Sequence, residues 1–157
     1  MSCPPSKGAC GPPLARVLLA ALKSESSTEK SPQGLESKPV IFVVDDEPLL
    51  LELASALLGD LTCDVKTFRD GESALKGFST SKPRPALIIT DYAMHRMDGM
   101  KLIQECRRIE PTQKIILTSG TVDQEIYRNS QVKPDHFLPK PYQIKEFIDA
   151  VQSVLAS

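Results

Sequence analysis

The chain has 157 residues, 41% of them hydrophobic and 25% charged, enough for one domain with a real core and close to the composition of globular proteins. A net charge of −1 carries no signature of a nucleic-acid or anionic-membrane surface. No apolar run approaches the roughly 20 residues of a membrane span, and Cys3, Cys10, Cys63 and Cys106 show neither metal spacing nor disulfide-scaffold density, so a reducing, cytoplasmic setting is expected.

Residues 1–38 differ from the rest. Seven Ser, five Pro and three Gly among these 38 positions predict a flexible tail or linker. Its one apolar stretch, LARVLLAAL (14–22), has the length of two helical turns. A signal peptide is the poorer reading, because Arg16 interrupts that core, Lys23 follows it directly, and no convincing cleavage site appears.

From Pro39 to the end, residues 39–157, short β-branched or apolar runs alternate with helical periodicity. VIFVV (40–44), CDVKTF (63–68), ALIIT (86–90), KIILT (114–118) and HFLP (136–139) are predicted strands. Leu50, Leu53, Ala54 and Leu57 form one helical stripe, and Leu102, Ile103, Cys106 and Ile109 a second. Ile144, Phe147, Ile148, Val151 and Leu155 form the third, and all three are read as core. The weakest helix, near 121–131, has only Val122, Ile126 and Tyr127 to turn inward and is expected to be short and mobile. Strands 1, 3 and 4 lack alternation, as expected when helices cover both faces of a parallel sheet. Five strands and five helices make a doubly wound α/β domain.

In such sheets ligands collect beyond the carboxyl ends of the strands. Strand 1 ends in Asp45 and Asp46, strand 3 in Asp91, strand 4 in Thr118 and strand 5 in Lys140, whereas strand 2 brings nothing comparable. That pattern is expected if strand 1 is central and strand 2 lies at an edge. Three carboxylates facing one lysine leave excess negative charge, which a hard divalent cation such as Mg²⁺ relieves. Cation and lysine together would attract a phosphoryl group, to which a carboxylate can act as nucleophile. An isolated Asp-Asp pair is more often a solvated loop or a helix cap, a partial role open to Asp46. His95 and His136 have no ligand partner at i+4 and are read as polar surface side chains.

The motifs VVDDEP (43–48), IITDYAMHRMDG (88–99), IILTSG (115–120) and HFLPKPY (136–142) resemble the receiver domains of two-component response regulators, from about residue 39 to 155. The resemblance implies a flavodoxin-like sheet of order 2-1-3-4-5. It implies that Asp91 is the phosphoacceptor and that Asp45, Asp46, Asp91 and the backbone carbonyl of Ala93 hold Mg²⁺. It makes Lys140 the partner of the phosphoryl group, Thr118 the switch hydroxyl, Phe137 the switch aromatic and Lys140–Pro141 a cis peptide. His95 stands where most members carry proline, so loop 92–98 is expected to be less rigid. Ala93 and Gly120 occupy two positions that in the family tune phosphoryl lifetime, and both are small here.

The implied function is a stand-alone receiver, with at most slow self-dephosphorylation rather than turnover. A histidine kinase or phosphotransfer protein would supply the phosphoryl group, and a downstream protein effector would read the face around 121–131, strand 5 and the last helix. No nucleic-acid or membrane partner is expected, and the state would be a monomer or a weak phosphorylation-dependent dimer. One alternative is a receiver fragment of a hybrid sensor kinase. A haloacid-dehalogenase-like phosphatase is less favoured, because DDE replaces D-x-D at strand 1 and no cap segment is present.

Overall fold

The computed structural model describes residues 38–120 and 128–157. Five strands, β1 (Val40–Val44), β2 (Asp64–Phe68), β3 (Leu87–Asp91), β4 (Ile115–Ser119) and β5 (His136–Pro139), form one parallel sheet of order β2-β1-β3-β4-β5. Four helices are described: α1 (Pro48–Gly59), α2 (Gly71–Thr80), α3 (Gly99–Ile109) and α4 (Ile144–Ala156). Most of the weak helix expected near 121–131, including Val122, Ile126 and Tyr127, lies outside the described residues, as does the tail segment 14–22.

The sheet divides the core into two layers. Ile41, Val43, Leu87, Ile89, Ile116 and Leu138 pack with Leu51, Ala54 and Leu58 of α1 and Phe147, Val151 and Val154 of α4. Phe42, Val44, Ile88, Ile115 and Leu117 pack on the other face with Ala74 and Phe78 of α2 and Leu102, Ile103 and Cys106 of α3. Alternate residues of β1, β3 and β4 thus feed opposite layers, and all but the half-buried Val40 are buried. That is why these strands read as unbroken apolar runs. β2, at the edge, is half-exposed and carries Asp64, Lys66 and Thr67.

All three predicted stripes need correcting: in α4 the first residue, Ile144, is 54% exposed and the buried line is Phe147, Ala150, Val151 and Val154. In α1 the buried line is Leu51, Ala54 and Leu58, with Leu53 44% exposed and Leu50 and Leu57 half-buried. The sequence PLLLELASALLG is leucine-rich around its whole circumference, so periodicity cannot set its rotation; packing does. In α3 the stripe ends at Cys106, and Ile109, one turn on at the last helical position, is 43% exposed.

The helix starts fix the loops above the sheet. Asp70 and Asp98 cap α2 and α3 by accepting from the backbone N–H groups of Ser73 and Lys101, each at 2.7 Å. α1 starts with Pro48 after the N-cap residue Glu47, which makes no side-chain cap bond. Asp46 is therefore not the cap; Asp45 Oδ1 instead accepts from the Glu47 N–H at 2.9 Å.

Candidate functional site

Asp45 and Asp46 follow the last residue of β1, and Asp91 is the last residue of β3, its sheet neighbour. The short reach across the sheet closes the distance that the sequence leaves open: one carboxylate oxygen of each lies within 4.8 Å of the others. Asp45 and Asp91 are buried and Asp46 is half-exposed, so the cluster forms a shallow pit with one open side. At such separations each pair of ionised carboxylates repels by about 3–4 kcal/mol at the effective dielectric of a protein surface.

Lys140, just past β5, relieves part of this. Its Nζ lies 2.8 Å from Asp45 Oδ2 and 2.9 Å from Asp91 Oδ1. Burial alone would lower the ammonium's pKa, but hydrogen bonds and charge from Asp45 and Asp91 outweigh it and hold it above its usual 10.5. The Lys140 N–H donates to the Ser119 carbonyl at 2.7 Å, and the following peptide to Pro141 is cis.

The remaining predicted residues surround this pair. Ala93 donates its N–H to Asp91 Oδ2 at 3.0 Å, fixing the second oxygen of that carboxylate. Thr118 stands opposite Asp91 in the β3–β4 register, is 3% exposed, and donates from Oγ1 to the Thr90 carbonyl at 3.4 Å. Phe137 pairs in register with Leu117 and packs, half-buried, against the α2–α3 layer. Alternation therefore places it on the opposite face from Leu138, the register partner of Thr118. Gly99 brings the loop after β3 hard against the site: a Cβ there would meet the Asp91 carbonyl oxygen at 2.4 Å. Beside Lys140, an apolar recess of about 450 Å³ is lined by Leu50, Leu53, Gly120, Pro141 and Tyr142.

Sequence reasoning missed one member of this group. His95 Nδ1 lies 3.0 Å from Asp46 Oδ2, a contact spanning 49 positions between the loops after β1 and β3. A search for ligand pairs at i+4 tests only a single helix and cannot find it. Loop 92–98 is pinned at several points, with Met94 and Gly99 N–H groups donating to the Tyr92 carbonyl and the Met97 N–H to that of His95.

The donor set suits a hard cation. Carboxylate oxygens are the ligands that Mg²⁺ takes, and an unbalanced negative cluster supplies the electrostatic reason to take it. Residues 41–152 match the response regulator receiver domain family. The chain belongs to that family. Receiver domains are phosphoacceptors of two-component signal transduction and bind Mg²⁺ through an acidic pocket of this kind.

Among curated relatives, the probable transcriptional regulator ycf27 of Porphyridium aerugineum is 30% identical over 118 residues, which are 75% of this chain and 48% of that protein. The sensor histidine kinase RcsC of Escherichia coli strain K12 is 32% identical over 135 residues, 82% of this chain and 14% of that protein. The chain thus spans half or less of the length of these relatives. Among solved structures, the response regulator TrrA of Thermotoga maritima, in complex with Mg²⁺ and BeF, is 29% identical with a TM-score of 0.66, covering 74% of this chain and 98% of that one.

Proposed function

We propose that this receiver is a phosphorylation-driven switch in which Asp91 accepts a phosphoryl group from a histidine kinase or phosphotransfer protein. The observation that carries the reading is the shared grip of Lys140 on Asp45 and Asp91, at 2.8 and 2.9 Å, beside a third carboxylate. Asp45, Asp46 and Asp91, with the carbonyl of Ala93, would hold Mg²⁺, which when bound neutralises charge on the transferring phosphoryl oxygens. TrrA, a relative of similar extent, was solved with Mg²⁺ and BeF.

The protein's own residues do the rest. The Ala93 N–H and Lys140 fix both oxygens of Asp91, so the nucleophile is oriented before a donor arrives. Attack by a carboxylate oxygen on phosphorus forms the acyl phosphate, and the bond to the donor's nitrogen breaks with that electron pair. Lys140 then exchanges a carboxylate for phosphoryl oxygen as its partner. Thr118 follows the new charge, and strand β5 with Phe137 repacks, altering the face read by a protein effector. Turnover is limited to slow self-dephosphorylation.

Mixing the chain with acetyl phosphate and Mg²⁺ and weighing the intact protein tests this. One added phosphoryl mass, absent in Asp91→Asn, is the expected result. No gain, or a gain that persists in the variant, refutes the assignment. A second reading, the receiver portion of a hybrid sensor kinase, is favoured by the match to RcsC, and the sequence of the full transcript decides it. The ycf27 relative is named as a probable transcriptional regulator, so the expected absence of a nucleic-acid partner applies to the receiver segment alone. We place the domain in the cytoplasm; no helix among the described residues is long and apolar enough to cross a membrane.

A further inference from the structure

The protein donors around the acidic pit follow a pattern. Both oxygens of Asp45 are engaged, Oδ1 by the Glu47 N–H and Oδ2 by Lys140. Both oxygens of Asp91 are engaged, Oδ1 by Lys140 and Oδ2 by the Ala93 N–H. Each oxygen of these two carboxylates already accepts one bond and keeps a lone pair for an ion, but turning either carboxylate to chelate one ion would break the bonds it makes. Asp46 is the most exposed of the three, with 36% of its side chain accessible, and among the described residues its donor is the imidazole of His95.

We infer that His95 is a positioning residue that sets which divalent cation the site accepts, by keeping Asp46 a one-oxygen ligand. An ionised carboxylate can only accept, so Nδ1 carries the hydrogen in this contact and holds Oδ2 turned toward the imidazole. Outer partners of this sort orient the carboxylates that ligate metals. The chemical consequence differs between ions. Mg²⁺ demands six ligands in a near-ideal octahedron and takes single carboxylate oxygens, keeping several waters, whereas Ca²⁺ takes six to eight oxygens and uses bidentate carboxylates to reach that number. With Asp45 and Asp91 already restrained, Asp46 is the carboxylate through which a larger ion gains its extra oxygen. His95 closes that route.

The inference rests on the metal reading above, and its test separates the two. Calorimetric titrations at pH 8 of the full chain with Mg²⁺ and, separately, with Ca²⁺ are compared among wild type, His95→Ala and His95→Asn. In His95→Ala, Ca²⁺ binds about fivefold tighter relative to Mg²⁺, the worth of one exposed hydrogen bond. Asn supplies an amide N–H to the same oxygen, and His95→Asn returns the ratio most of the way to wild type. A merely structural role for His95 would move both constants together. An unchanged ratio in His95→Ala, parallel changes for both ions, or an Asn variant that behaves like Ala overturns the inference and leaves the metal site standing. A wild type that binds neither ion overturns both.

Discussion

Lys140→Met is the substitution that most directly loads the electrostatics of the site. It removes an ammonium held at 2.8 and 2.9 Å by two carboxylates whose side chains are only 10% and 8% exposed. Methionine fills similar volume, so little of the effect comes from packing. Breaking a buried pair by removing one partner costs about 3–5 kcal/mol. Lys140 retains 21% side-chain exposure and the pit has an open side, so screening reduces this to about 2–3 kcal/mol. For a domain of this size, that lowers Tm by about 10 °C in EDTA. Saturating Mg²⁺ then stabilises the variant by about 1 kcal/mol more than it stabilises wild type, because the ion meets three uncompensated carboxylates.

Thermal and urea denaturation followed by circular dichroism, with and without Mg²⁺, reads both quantities. Adding Asp91→Asn to Lys140→Met recovers part of the loss by removing one of the repelling charges. pH supplies an independent check. Asp45 and Asp91 raise the lysine in the folded state, so its contribution is complete below the ordinary value of 10.5 and is lost as pH rises through the higher folded value. The gap between wild type and variant therefore stays constant through neutral pH and closes only in strongly alkaline solution. Stability within about 0.5 kcal/mol of wild type in EDTA, together with an equal Mg²⁺ response, would refute the reasoning.

Gly99→Ala places a Cβ 2.4 Å from the Asp91 carbonyl oxygen and 2.8 Å from Leu117 Cδ1; backbone must move, and we expect a loss of about 2–3 kcal/mol with slowed phosphorylation by acetyl phosphate. Gly59→Ala, at the end of α1 with nothing within 4 Å of its Cβ, stabilises by about 0.5–1 kcal/mol in the same denaturation assay. Burial pushes the Cys106 thiol up to about 12, so peptide-level mass spectrometry finds it unalkylated at pH 8 until the domain unfolds. Thr118→Ala is expected still to gain the phosphoryl mass but to lose the change in hydrogen exchange across residues 136–142 that the proposed switch predicts for wild type.

The sheet was legible because its chemistry is written locally. A strand covered on both faces has little room for polar side chains; β1 has none, and β3 and β4 show none before their last two residues. The same logic exposed the site: charged residues that directly end such strands must share one edge, whatever their separation in sequence. α1 was harder. With leucine at six of its twelve positions, several rotations bury apolar surface, and only the competing demands of β1, β2 and α4 select Leu51, Ala54 and Leu58. His95 was harder still, since its partner is fixed by how two loops cross above the sheet. Arg107 falls in the same class: its guanidinium meets Asp135 at 2.8 Å, and that carboxylate accepts the Ile115 N–H, tying α3 to the lower ends of β4 and β5.

What makes the arrangement fit for switching is a contrast in how tightly its groups are held. Asp91 is gripped by an ammonium and an amide, with both oxygens fixed, as the proposed nucleophilic role requires. Thr118, directly opposite in register, holds the Thr90 carbonyl at 3.4 Å, well beyond the 2.7–2.8 Å of a good hydroxyl bond. Little is lost when that hydroxyl leaves. In the proposed switch its displacement would reach Phe137 through the strand pairing, since Phe137 lies on the other face of the sheet beside Leu117. A shift of the β4 backbone would move Leu117, the register partner of Phe137, and hence the packing of that ring. On the proposed function, the readout runs through β4 and β5 as a pair, and a substitution at Leu117 that loosens this packing should uncouple the ring from the threonine without touching the site.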